Sequence, residues 1–456
     1  MTGEPEQPHA HAHTHSLRAA GAGVSSSRTV RAVTFGLLSL VALGTVLGLA
    51  LLWPDYAKVG EVAERASYQA EGVAFEQGEI LSVGDCVAQT EAPPDSGPDA
   101  PGPGGQGGSA RADAEQQSEV RTACKQLGVG LRSGPDSGRL VEVTVRGTLA
   151  ISGLGVGDHV ELSGFPVDGL QGGQVARNYS LVNSYEVSGV VRHLPLAILV
   201  LIFAGVVVGV GRLRGLFSLL ALGVAAGVLL GFVLPALVAG GPALLIGLVG
   251  SSAIMFVTLF FVHGPNMRTT SALIGTLAGI LIISGVSWVA VRVTHLSGLG
   301  DEASGLLSGM ASEIDFRGLL TCSILIAGLG VLNDVTITQA SSVWELRAAA
   351  PEMPRREIYA RAMRIGRDHI ASTVYTVFFA YAGAAISVLI LLYLYNRPVL
   401  SLLTQEDIAI EIVRTMAGSI GLVLAVPITT AVAALFVPPA KGEHASPWRA
   451  VPAELW

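Results

Sequence analysis

The residues best placed for chemistry lie in GVLNDVTITQASSVWEL, Gly330 to Leu346, which follows directly on an apolar run. Asp334 could take a proton or a cation there, and Asn333, Thr338 and Gln339 could add neutral oxygens. A second polar group, Asp368 with His369, stands in AMRIGRDHIASTVYT, at the entry to the next apolar run. Two arrangements fit the first stretch. In one, Gly328 and Gly330 break a membrane helix, a second half begins near Asn333 or Asp334, and Asp334 points into an interior cavity. Two capping-box patterns, Thr336 with Gln339 and Ser342 with Glu345, go with it. In the other, Asp334, Thr338, Ser341 or Ser342, and Glu345 are the solvated face of one helix, at spacings of three to four.

Apolar helices must position these residues. The chain is 456 residues, 50% hydrophobic and only 14% charged, with a mean hydropathy of +0.56. Soluble chains carry about 25% charged residues, so this deficit points to a multi-span membrane protein. A net charge of -7 and a pI of 5.8 give no reason to expect a nucleic-acid partner. Eight stretches reach the roughly 20 apolar residues a span needs: 34–53, 194–211, 215–237, 242–262, 271–291, 318–337, 372–395 and 416–437. The first follows Arg28 and Arg31 and ends in LLWPDY, which reads as an uncleaved anchor. With the N-terminus in the cytoplasm, the inner segments hold fourteen Lys and Arg and the short outer loops only Arg292, Arg317, Arg397 and Arg414. That bias places both termini in the cytoplasm of a plasma-membrane protein. Small-residue ridges, such as Gly223, Gly227 and Gly231, or Ser271, Gly275 and Gly279, suit close helix packing.

The expected organisation is a His-containing tail (1–30), an anchor (31–53), an extracytoplasmic β-rich domain (54–193), a seven-helix bundle (194–437) and a second tail (438–456). Within the outer segment, RLVEVTVRG alternates Val141, Val143 and Val145 with polar residues, the period of a half-buried strand. LGVGDHVELSG, YQAEGVAFEQGEILSV and NYSLVNSYEVSGVV add further β runs, giving a small barrel or sandwich that resembles an OB-fold. A Pro- and Gly-rich insert, about 90–118, interrupts it between Cys86 and Cys124. In an oxidising compartment these two could pair; otherwise they are free thiols in a loop. His9, His11, His13 and His15 alternate in the tail, as weak metal ligands or as an unstructured tag.

No Walker A loop, HExxH, GxSxG, paired CxxC or EF-hand loop occurs, and the histidines beyond the tail sit at span ends or in loops. An enzyme is not expected, and neither is a cofactor. GVLNDVTITQASSVWEL and GRDHIASTVYTVFFAYAGA resemble the signature blocks of the YibE/F-like bacterial membrane proteins, a resemblance running from about residue 30 to 437. It implies an integral membrane protein without an assigned activity. The family pattern more often carries Asp at position 333 and Asn at 375, where this chain has Asn333 and Tyr375. The leading expectation is a transporter or permease-like protein acting on a small ion or solute. The alternative is a non-transporting scaffold, whose outer domain and arginine-rich loop 347–367 bind partner proteins or anionic lipid.

Overall fold

The computed structural model describes residues 28–68, 73–86, 123–166, 183–311, 313–394 and 398–439. The tail histidines and the 90–118 insert lie outside them. The chain divides into two compact units, 65–206 and the remainder.

The first unit is a curled antiparallel sheet in the order β3-β2-β1-β4-β5. Its strands are β1 (Ala74–Asp85), β2 (Cys124–Leu131), β3 (Leu140–Arg146), β4 (His159–Pro166) and β5 (Asn183–Val190). The curl brings the outer strands β3 and β5 towards each other. Alternation puts Val141, Val143 and Val145 inside, and Ile80, Leu127, Val129, Val160 and Leu162 meet them in the core. β2 is a strand that no run named above covers, although Leu127, Val129 and Leu131 show the same period with glycines between them. Gly78 sits mid-sheet on β1, where a Cβ would run into Val129 and Leu162. A disulfide joins Cys86 to Cys124, with Cα atoms 5.5 Å apart. Glu76 is 2% exposed beneath the turn at Gly134, whose φ of 83° favours glycine. Tyr185 Oη donates to Asp136 Oδ2 at 2.9 Å. Burial, then that bond, pushes the Tyr185 phenol well above its usual range.

The second unit is helical: α1 (Arg28–Leu51), α2 (Tyr56–Tyr68), α3 (His193–Val228), a π turn (Leu229–Val233) and α4 (Leu234–Val238) come first. α2 ends and α3 begins in residues counted with the sheet. There follow α5 (Ala243–His263), α6 (Met267–Val293), α7 (Glu302–Met310), α8 (Phe316–Ala349), α9 (Arg355–Ala384), α10 (Ile386–Leu394), α11 (Val399–Leu403) and α12 (Glu406–Phe436). Among the described residues, six helical segments are long and apolar enough to cross a membrane. Of the eight apolar stretches, 194–211 and 215–237 fall in one such segment, His193–Val238. Arg212 interrupts it with φ 51° and ψ -135°, and Gly215 lies directly against the Val207 carbonyl, so the chain folds back there. The stretch 372–395 is divided at Ala385 between α9 and α10, so neither helix qualifies alone.

α6, α8 and α12 form the centre of this unit, with α5 and α9 packed on them. Gly279 receives Leu332, Gly275 receives Thr429 and Gly421 receives Ile283, contacts that glycine permits because a Cβ would collide. Ala243 beside Gly318 and Cys322 beside Gly247 show that α5 runs parallel to α8. The α6 contacts with Leu332 and Thr429 run the opposite way, so α5, α8 and α12 share one direction. A Cβ at Gly223, Gly227 or Gly231 would meet nothing within 4 Å, which corrects the reading of this ridge as a helix-packing seam. Gly223 and Gly227 are exposed, while the Gly231 carbonyl accepts from Tyr56 Oη of α2 at 2.6 Å.

Candidate functional site

α8 runs unbroken for 34 residues, about 51 Å at 1.5 Å per residue. The expected break at Gly328 and Gly330 is absent. Gly328 is buried and a Cβ there would strike Ile283, so this glycine serves packing against α6 rather than a turn. The two capping boxes are absent for the same reason. Thr336 Oγ1 bonds the Asn333 carbonyl and Ser342 Oγ the Thr338 carbonyl, as hydroxyls do inside a continuous helix.

Two stripes of α8 have opposite roles. Asp334, Thr338 and Glu345 are exposed, with Ser341 and Ser342 half-buried beside them. Asp334 therefore does not point into an interior cavity. It lies about 27 Å from the Phe316 end of the helix, close to the ~30 Å thickness of a hydrocarbon core. The inner stripe is polar but occupied. Gln339 is 2% exposed, and its Nε2 donates to the Ala362 carbonyl on α9 at 2.9 Å and to Thr430 Oγ1 on α12 at 2.7 Å. Thr336 meets Thr276 of α6 at 2.7 Å between hydroxyl oxygens. Four helices are thus joined by two side chains at adjacent turns.

Asp368 and His369 sit on α9, the first exposed and the second half-buried. α8 and α9 form an antiparallel hairpin: Arg347 Nη1 donates to the Met353 carbonyl at 2.7 Å, and Gln339 to Ala362. Six residues back along α8 and six forward along α9, Asn333 comes level with Asp368. Asn333 Oδ1 and His369 Nε2 are both buried, and neither has a hydrogen-bond partner among the described residues. Buried polar atoms are normally paired, so this level of the hairpin is where a solute, proton or water has donors and acceptors to meet. Tyr375, one turn and a half further on, is 63% exposed and faces away from the bundle.

Other residues at this end stabilise the fold. Asn266 caps α6 by accepting from the Thr269 amide at 2.9 Å. The buried Arg347 also donates to the Pro351 carbonyl at 3.0 Å, and Arg355 donates through Nε and Nη2 to Val437 at the end of α12. Cations at helix C-termini are favoured by the peptide dipoles. Among the described residues no three His, Cys, Asp or Glu side chains converge as metal ligands.

One polar pair has no place in the sequence reading. Arg414, expected in an outer loop, lies inside α12 and donates to Glu411 Oε1 at 2.6 Å. The spacing in EIVR, a carboxylate three residues before an arginine in an apolar run, was its only signal.

Apolar helices with outward-facing Leu, Val and Phe side chains are consistent with a multi-pass membrane protein. The chain matches the YibE/F-like protein family over residues 199–439, more than half of its length, and belongs to that family. No curated protein and no solved structure matches it.

Proposed function

We propose that this chain is a permease-like protein of the cytoplasmic membrane, through which a small cation or proton passes by way of Asn333, Asp334, Asp368 and His369. The observation that carries this reading is the pair of buried, unpartnered atoms, Asn333 Oδ1 and His369 Nε2, at one level of the hairpin. Asp334 and Asp368, both exposed, supply negative charge beside them, and Thr338 a neutral oxygen. Gln339 holds the helices that frame the site. The chain crosses the membrane eight times, reversing at Arg212 and using α9 with α10 as the seventh crossing. Both termini are cytoplasmic, and the curled sheet is an OB-like domain on the outer face. The Lys and Arg distribution supports this orientation.

Single cysteines at 333, 334 and 338, introduced with Cys322→Ala, test the site by labelling with an impermeant thiol reagent. Positions 334 and 338 should react readily from the cytoplasmic side, and 333 slowly, at a rate that an imposed cation or proton gradient changes. Labelling of 333 as fast as 338 and indifferent to any gradient would remove the site.

A second reading rests on Arg356, Arg361, Arg364 and Arg367, which are exposed along one side of α9. Such a face suits anionic lipid or an acidic partner, as a scaffold would use it. Replacing Arg356, Arg364 and Arg367 by Gln would then abolish partner binding and leave ion flux untouched.

A further inference from the structure

The opposite end of the helical unit carries a cavity of about 630 Å³, within the size range of small-molecule sites. It is an open cleft lined by three chain segments, the start of α5, the end of α6 and the start of α8, and its charged side chains are exposed. Its charged and aromatic wall is Trp288, Arg292, His295, Asp315 and Arg317. Two guanidinium groups and one carboxylate thus line the same cleft. Neither arginine has an ion-pair partner among the described residues, and Asp315 makes no side-chain bond to the helix it precedes.

The positions of these groups fit an oxyanion. The Arg292 guanidinium carbon lies 4.2 Å from the centre of the Trp288 ring, so one face is stacked and the in-plane N–H edge remains for a planar acceptor. Ala243 and Leu244 open α5, and Arg317 and Gly318 open α8, all four at the cavity wall. First-turn amides have no carbonyl within their own helix, and the bonds that close these turns begin only at Leu245 and Leu319. Gly318 is tightly fitted, since a Cβ would meet both Asp315 and Ala243. The cavity therefore combines side-chain cations, free amides and the positive ends of two parallel helices. Pro242, Val291 and the Trp288 ring add apolar surface, and Thr321, whose hydroxyl bonds the Arg317 carbonyl at 2.9 Å, completes the wall.

We infer that this cavity binds the phosphate or carboxylate group of an organic anion, with Arg292 and Arg317 as its cationic clamp. The inference is independent of the Asn333–His369 site, which lies at the other end of α8. On the orientation proposed above the cavity opens outward. An anionic lipid headgroup and a soluble organic phosphate share this chemistry.

The test is calorimetric titration of the purified full chain, with inorganic phosphate and glycerol phosphate in uncharged detergent, and with phosphatidylglycerol in neutral nanodiscs. Arg317→Gln should weaken binding by about tenfold, the loss of a charge-assisted contact. Asp315→Asn should strengthen it severalfold by removing the opposing carboxylate. Saturable binding by glycerol phosphate identifies a soluble ligand, and binding by phosphatidylglycerol alone identifies a headgroup; either supports the site. No binding by any probe, or equal affinities in wild type, Arg317→Gln and Asp315→Asn, overturns it. The opposite signs expected of the two variants separate a lost ligand contact from a damaged fold.

Discussion

Gln339 on α8 donates a hydrogen bond to Thr430 Oγ1 on α12 across 2.7 Å, deep in the helical unit. The second proton of the same amide goes to the Ala362 carbonyl of α9. Gly366 makes this possible: a Cβ there would press on both polar atoms of the Gln339 amide and on Val426. One side chain thereby fixes the spacing of the three helices that surround the Asn333–His369 level.

Gln339→Ala should accordingly lower the thermal midpoint of the purified protein, at a cost of about 1–3 kcal/mol from the two lost side-chain bonds. Thr430→Val should cost less, since Gln339 then keeps its bond to the Ala362 carbonyl. A larger loss from Thr430→Val than from Gln339→Ala would contradict the assignment.

The glycines give a contrast in packing. Gly279→Leu forces new atoms into Leu332 and should cost about 1–3 kcal/mol or prevent folding. Gly227→Leu meets nothing and should leave the thermal midpoint unchanged. Size-exclusion profiles and thermal melts of both variants decide the matter.

Asp301 precedes α7 and accepts from the Ser304 amide at 2.6 Å, which holds its carboxyl below the usual carboxylate range. A depressed folded pKa means that the cap stabilises above the unfolded value and is lost as pH falls through the folded one. Hydrogen exchange at the Ser304 amide should therefore speed up only below about pH 4. Asp301→Asn should flatten that pH dependence.

The Cys86–Cys124 bridge closes a separation of 38 residues between the end of β1 and the start of β2, two inner strands of the curled sheet. Replacing both cysteines by Ser should destabilise the sheet unit by about 2–4 kcal/mol through chain entropy. Alkylation without reductant should leave both sulfurs unmodified, and label them after reduction.

Much of the architecture was legible because its signals are local. Apolar length marked the helices, and the period of Val141, Val143 and Val145 marked a strand. What escaped depends on partners distant in sequence. Gly328 permits a helix break on its own backbone, and only Ile283 on another helix shows that it serves packing. Gln339 and Asp334 look equally polar in the sequence; the contacts of α9 and α12 bury the first and leave the second exposed. Arg414 seemed a loop residue because its helix begins earlier than the apolar run, at Glu406. Glu406 anchors that extra length by accepting from the Ser297 amide at 2.7 Å and the Gly298 amide at 3.0 Å.

Ion flux in vesicles tests the central claim most directly. The full chain is reconstituted in uncharged lipid, a pH or alkali-cation gradient is imposed, and its decay is followed with an internal dye. Wild type should dissipate a gradient that protein-free vesicles hold, with Asp334→Asn and His369→Gln slowing the decay by about tenfold or more. Decay at the wild-type rate in both variants, with their thermal midpoints unchanged, would contradict the permease account.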